Sequence, residues 1–70
     1  MKVQDELSGE VFRVAAVYWV RSNGLPRDNW ATTEQMRAHG ASPRKVPGSL
    51  PWARADDGGE SRWLPVEVLS

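Results

Sequence analysis

Four clusters of turn-forming residues interrupt this sequence and restrict every helix or strand to a short segment. They lie at residues 23–26, 40–43, 47–51 and 56–59; each contains glycine, and the first three also contain proline. These two residues are strong local breakers of regular structure, because glycine admits positive φ and proline lacks an amide donor. The sequence therefore predicts a few short elements joined by tight turns.

The length of the chain indicates one small domain. With 70 residues, it is near the lower limit for a chain that folds alone. It has no cysteine and one histidine, which excludes disulfides, thiolate metal sites and histidine-rich metal clusters. No apolar stretch is long enough for a membrane span, and residues 1–6 are too acidic for a targeting peptide. We expect a soluble, cytoplasmic protein without a metal or cofactor.

The first element is predicted over residues 8–22. Its apolar residues recur at the spacing of one helical face. They are Leu7, Val11, Val14, Ala15 and Tyr18. Gly24 can adopt a left-handed cap and Pro26 forbids continuation, so we interpret the segment as an N-terminal helix. A strand is the alternative, because the segment is rich in valine and aromatic residues. As a helix it would be apolar on more than one face, and it could bind a protein partner or a second copy of the chain.

Two further helices are predicted in the middle of the chain. Residues 32–35 fit a capping box, which indicates a helix from Thr32 to His39 that ends at Gly40. The Ser-Pro pair at 42–43 suits the start of another helix, since serine is a good N-cap and proline fits the first helical position. The Pro-Gly pair at 47–48 ends this third helix after little more than one turn.

The last part of the chain, residues 52–69, is predicted to form a β-hairpin and a closing segment. Residues 56–59 form a turn that can supply positive φ. Trp52 and Trp63 then lie on the same face of the hairpin, where their pairing would stabilise it. Residues 65–69 are either a closing helical turn or a short strand.

Two motifs resemble one family of DNA-binding domains. The segment 40–46, Gly-Ala-Ser-Pro-Arg-Lys-Val, resembles the turn and recognition-helix start of MerR-type and excisionase-type domains. Arg54 followed by residues 57–63 resembles the wing of the same family, in which a glycine pair precedes a basic and an aromatic residue. The resemblance covers about residues 30–69. It implies an α+β fold, a small winged helix-turn-helix-like domain with two to three helices, a helix-turn-helix over 32–50 and a C-terminal β-hairpin wing.

The resemblance also implies a site for double-stranded DNA. Arg44 and Lys45 would lie on the first turn of a recognition helix that enters the major groove. Arg37 on the preceding helix would hold backbone phosphates. Arg54 and Arg62 flank the wing turn and would approach the adjacent minor groove or the backbone.

Charge is unevenly distributed along a chain that is neutral overall. Residues 11–54 carry seven basic and two acidic side chains, whereas residues 1–10 and 55–70 are net acidic. A basic middle can present one cationic face to an anionic partner. The alternative is that these cations are simply solvated or, for Arg54 and Arg62, paired with the carboxylates of the hairpin.

Two functions follow from these observations. The first is a small DNA-binding accessory factor, which would mark DNA for a recombinase or repress a promoter. The second is an inhibitor or adaptor that binds a protein on the same scaffold, as the zero net charge and the proline-interrupted recognition helix suggest. No nucleophile, base and orienting group can be assembled from the sequence, so we do not expect an enzyme.

Overall fold

The chain forms a β-rich structure with one short helix. The structure, a computed structural model, describes the backbone of residues 1–70 and every side chain except that of Asp57. In chain order the elements are β1 (Lys2–Asp5), β2 (Val11–Arg13), β3 (Tyr18–Arg21), α1 (Thr33–Ala38), β4 (Ser49–Asp57) and β5 (Glu60–Val68). The predicted α+β winged helix-turn-helix with two to three helices is therefore wrong. Among the described residues, no helix has the length and hydrophobicity needed to cross a membrane.

All five strands join one antiparallel sheet in the order β2-β1-β5-β4-β3. The edge strands β2 and β3 are consecutive in sequence, and we call residues 14–17 between them the connector. A flat sheet of five strands would separate its edges by about 19 Å. The backbone from Arg13 to Tyr18 spans at most about 17 Å. The sheet must therefore curl to bring its two edge strands closer together.

Side chains alternate across the strands and form two hydrophobic clusters on opposite faces of the sheet. The helix-side cluster contains Val20, Leu25, Ala31, Met36, Trp52 and Trp63. The connector-side cluster contains Val3, Val17, Ala53 and Val66, with Phe12, Val14, Trp19 and Leu64 packed against it. Met36 of α1 covers the first cluster, and Val14 and Val17 of the connector cover the second. Helix α1 and the connector thus cover different clusters of the curled sheet.

Residues 8–22 form no helix, contrary to the prediction. They contain β2, the connector and β3. The expected helical face does not become core, because Val11 and Tyr18 are exposed, whereas Val17 and Val20 are buried in the two clusters. Residues 18–21 form a strand and not a helix because β3 pairs with β4. The helix on which a partner surface was expected does not form, and binding of a partner by this segment stays a prediction.

Helix α1 is the second predicted element, and its prediction is confirmed. The Oγ1 atom of Thr32 accepts a hydrogen bond from the amide of Gln35 at 3.1 Å. In return, the Gln35 Oε1 atom accepts one from the amide of Thr32 at 2.9 Å. Both halves of the capping box are present, and Gly40 follows the helix with a φ of 70°.

The third predicted helix, after Ser42, is not formed. The Ser42 hydroxyl accepts a hydrogen bond from the amide of Arg44 at 3.2 Å, which closes a local turn and caps no helix. The backbone of Ser42 exchanges two hydrogen bonds with Trp19, at 2.7 and 3.0 Å. Ser42 thereby covers part of the edge of β3, and the turn at 47–48 leads directly into β4. The helix-turn-helix predicted over residues 32–50 does not exist because this segment pairs with a strand.

The predicted hairpin is present as β4 and β5. Its two-residue turn consists of Gly58 and Gly59, whose φ angles of 60° and 86° have the signs of a type I′ turn. Trp52 and Trp63 both point into the helix-side cluster, as expected. Residues 66–68 continue β5 and pair with β1, so the strand interpretation of the closing segment is confirmed.

The turn predicts a strong difference between two substitutions of Gly58. Gly58→Val should lower the free energy of unfolding by about 2 kcal/mol, because a β-branched residue is strained at positive φ. Gly58→Asn should cost less than about 1 kcal/mol, since asparagine tolerates the left-handed region. Urea unfolding measures both. Equal stability of the two variants would mean that backbone conformation at this turn does not limit the hairpin.

Candidate functional site

A cleft of about 650 Å3 opens beside α1, and we call it the arginine cleft. The end of β2 and the connector contribute residues 13–16 to it, and Ala41 lies beside them. The other lining residues are Thr33, Met36 and Arg37 of α1 and Tyr18, Arg54 and Trp63 of the sheet. This volume lies within the range of about 300–1,000 Å3 that is typical of ligand sites.

Three cations from three different elements line this cleft. Arg13 ends β2, Arg37 lies in the last turn of α1, and Arg54 lies in β4. Among the described side chains that line the cleft, none is acidic. The guanidinium groups of Arg13 and Arg37 form no hydrogen bond or ion pair with any described residue. The cleft is therefore a site of positive potential with two cations available to a ligand.

Arg54 is held in place by its neighbours on the hairpin. Its Nη2 atom donates a hydrogen bond to the Ser61 hydroxyl at 2.8 Å, and its Nε atom lies 3.3 Å from Asp56 Oδ1. The Ser61 hydroxyl donates in turn to Asp56 at 3.1 Å. The carboxylate offsets part of the charge of Arg54, so Arg13 and Arg37 dominate the electrostatics of the cleft.

Two aromatic rings meet within the arginine cleft. The rings of Tyr18 and Trp63 are edge-to-face, with centroids 5.1 Å apart and an interplanar angle of 79°. Trp63 is buried, and its Nε1 atom donates a hydrogen bond to the Thr33 hydroxyl at 3.0 Å. Tyr18 remains 37% exposed. The buried indole therefore packs against a tyrosine side chain that lines the open cleft.

The five residues predicted to bind DNA do not form one site. Arg37 and Arg54 both line the arginine cleft. Arg44 is exposed on the loop after Ala41 and is absent from the cleft lining. The Lys45 Nζ atom lies 5.2 Å from the centroid of the Trp19 ring, and the Arg62 Cζ atom lies 4.8 Å from that of Trp30. Because the recognition helix does not form, its first turn cannot present Arg44 and Lys45 to a groove.

A second, smaller cleft lies on the other face of β3. It has a volume of about 360 Å3 and is lined mainly by the apolar side chains of Trp19, Leu50, Pro51, Val66 and Val68. Its charged residues are of both signs and are Glu6, Arg27, Lys45 and Glu67. Trp19 lines this cleft, whereas Tyr18 lines the arginine cleft. Adjacent side chains of one strand point to opposite faces, so these two residues lie on separate surfaces.

Sequence reasoning missed Arg13 and Tyr18 as functional candidates. Arg13 was one of seven cations in the basic middle of the chain, and Tyr18 was assigned to the core face of a helix. Neither has a motif of its own. In the folded chain the connector lies beside α1, and Arg13 and Tyr18 therefore line the same cleft as Arg37. No sequence pattern indicates this arrangement.

Comparisons of the chain with protein-family models, with curated proteins and with solved structures found no match. The likeness of the two motifs to MerR-type and excisionase-type domains therefore remains a prediction. The assignment of function depends on the chemistry of the arginine cleft.

Proposed function

We propose that this protein binds DNA through phosphate contacts in the arginine cleft. The observation that supports this proposal is the pair Arg13 and Arg37, two cations without a partner among the described residues. They come from different elements and line one cleft without a described acidic neighbour in its lining. We assign the chain a binding role and not a catalytic one.

The chemistry of arginine suits a phosphodiester. The guanidinium group is always charged, and its planar fork donates two parallel hydrogen bonds to phosphate oxygens. Ser61 and Asp56 preorient Arg54 at the same cleft, which reduces the entropy that this side chain loses on binding. A chain of zero net charge can still bind an anion, because the local field at the cleft decides the contact.

The proposal is tested by the double variant Arg13→Ala/Arg37→Ala. Binding of a fluorescently labelled DNA of random sequence is followed by anisotropy in about 50 mM and about 200 mM NaCl. The affinity should fall by about thirtyfold, which corresponds to about 1 kcal/mol for each lost contact. The slope of log affinity against log salt should decrease by about 2, because two phosphate contacts disappear.

The matched control is Arg21→Ala/Arg44→Ala, which removes the same charge from exposed positions outside both clefts. This variant should bind DNA within about twofold of the original protein, since distant exposed charges are screened by salt. Equal losses in the two double variants would contradict a localised site. The contribution of these arginines would then be only a diffuse charge effect.

Binding to a protein partner is the second candidate function, and the second cleft favours it. Its apolar lining includes Leu50 and Val68, which are both more than one-third exposed. An apolar segment of a partner would bury these side chains, and such binding would depend little on salt. This candidate replaces the first if no DNA binds to the original protein at low salt.

A further inference from the structure

We infer that the arginine cleft takes an unpaired nucleotide of single-stranded DNA, with its base stacked on Tyr18 and its flanking phosphates at Arg13 and Arg37. This inference rests on the proposed function and specifies its ligand. It follows from the shape of the cleft, the position of one aromatic ring and the positions of the two cations that have no partner among the described residues.

The concave shape of the site argues against a duplex. Reading of the base edges in a duplex uses a protruding helix or ribbon that enters the major groove, which is about 12 Å wide. Here Arg37, Arg54 and Tyr18 line a recess of about 650 Å3. A base that is paired and stacked within a duplex cannot leave its helix to enter this recess without unpairing. An unpaired base has no such restriction.

Tyr18 is suited to stack on a base. The residue is 37% exposed and lines the cleft, whereas the neighbouring Trp63 is buried. Trp63 is fixed by its hydrogen bond to Thr33 and by two backbone hydrogen bonds with Ala31, at 2.8 and 2.9 Å. The edge-to-face contact with this buried, hydrogen-bonded indole restricts the orientations open to the tyrosine ring. A preoriented ring loses little entropy when a base stacks on it.

Arg13 and Arg37, two cations without a partner among the described residues, complete a site for a nucleotide. Arg13 is next to the connector that leads to Tyr18, and Arg37 extends from α1 into the same cleft. A strand whose base lies on Tyr18 has one phosphate on each side of that nucleotide, and a cation from a separate element is available for each. Stacking and phosphate contacts accept any base, so this site would bind single strands with little sequence preference.

The experiment compares three DNA ligands of equal length by anisotropy at low salt. They are a thymidine homopolymer, a strand of abasic deoxyribose phosphates and a duplex of random sequence. We expect the thymidine strand to bind about tenfold more tightly than the abasic strand, because only the former can stack. It should also bind about tenfold more tightly than the duplex, in which no base is free to enter the cleft.

Two variants of Tyr18 separate stacking from other roles of this side chain. Tyr18→Phe retains the ring and should bind the thymidine strand within about twofold of the original protein. Tyr18→Leu should bind it about tenfold more weakly but bind the abasic strand unchanged. If Tyr18→Leu fails to fold, the comparison of thymidine and abasic strands on the original protein still tests the inference.

Each outcome has a distinct meaning. Equal affinity for the thymidine and abasic strands, or for the strand and the duplex, would overturn this inference and leave DNA binding intact. Equal losses in Tyr18→Phe and Tyr18→Leu would also overturn it, because the hydroxyl group and not the ring would then be responsible. Failure of all three ligands to bind would overturn the proposed function as well.

Discussion

Replacement of Trp52 with alanine is expected to remove a large part of the free energy of unfolding. Trp52 is 1% exposed and is the largest of the fully buried side chains. It contacts the helix-side cluster, which joins β3, α1 and β5. Truncation of a buried tryptophan costs about 3–5 kcal/mol, because the lost burial is combined with a cavity. A chain of 70 residues has a total stability of only about 4–10 kcal/mol.

The matched control for this variant is Trp30→Ala. Trp30 is 40% exposed and contacts the guanidinium group of Arg62. Loss of this exposed cation–π contact should cost about 1 kcal/mol or less. Urea unfolding followed by far-UV circular dichroism measures both variants, since this readout follows the backbone and not the indole fluorescence. If Trp30→Ala were as unstable as Trp52→Ala, the helix-side cluster would not be the main source of stability.

Replacement of Arg27 with methionine is expected to produce the second largest loss of stability. The Arg27 side chain is 16% exposed and forms an ion pair with Glu6 at 2.9 Å. Its Nη2 atom also donates hydrogen bonds to the carbonyl oxygens of Pro51 at 3.1 Å and Val66 at 3.0 Å. Its guanidinium group lies 5.3 Å from the ring centroid of Trp52. One side chain therefore connects the turn after β1 with β4, β5 and the core.

The expected cost of Arg27→Met is about 2–4 kcal/mol, because two carbonyls and a carboxylate lose a charged donor. Arg27→Lys should recover only part of this loss, since an ammonium group lacks the planar fork that reaches several acceptors. The control Arg21→Met removes an exposed cation and should change the stability by about 0.5 kcal/mol or less. Urea unfolding curves test all three variants. If Arg27→Met were as stable as Arg21→Met, the contacts of Arg27 would contribute nothing to the free energy of unfolding.

The role of Arg27 has no signature in the sequence. It is one of seven cations in the basic middle, and it follows Pro26 in a segment without regular structure. Its partners Glu6 and Val66 are far away in sequence, and they meet only because β1 pairs with the end of β5. A count of charges along the sequence does not distinguish this structural cation from Arg37, which remains available for a ligand.

The candidate site, like the role of Arg27, could be predicted only in part from the sequence. The prediction grouped five DNA-contacting residues, of which Arg37 and Arg54 line the arginine cleft, whereas Arg44, Lys45 and Arg62 lie outside it. That grouping depended on a recognition helix. The serine that was expected to cap this helix pairs with β3 instead. A local signal for a helix start was thus present, but a strand edge competed for the same backbone groups.

Elements whose signals act within a few residues were determined by the sequence itself. The capping box at Thr32 and Gln35 begins α1, and the glycine pair at Gly58 and Gly59 closes the hairpin, because each requires only neighbouring backbone atoms. The tertiary structure decided the rest. Residues 18–21 are a strand because they pair with residues 49–52, and β1 joins the sheet through residues 66–68. Local propensities of such short segments do not decide between helix and strand. Hydrogen bonds to distant strands and burial on a shared face therefore determine the fold and the cleft.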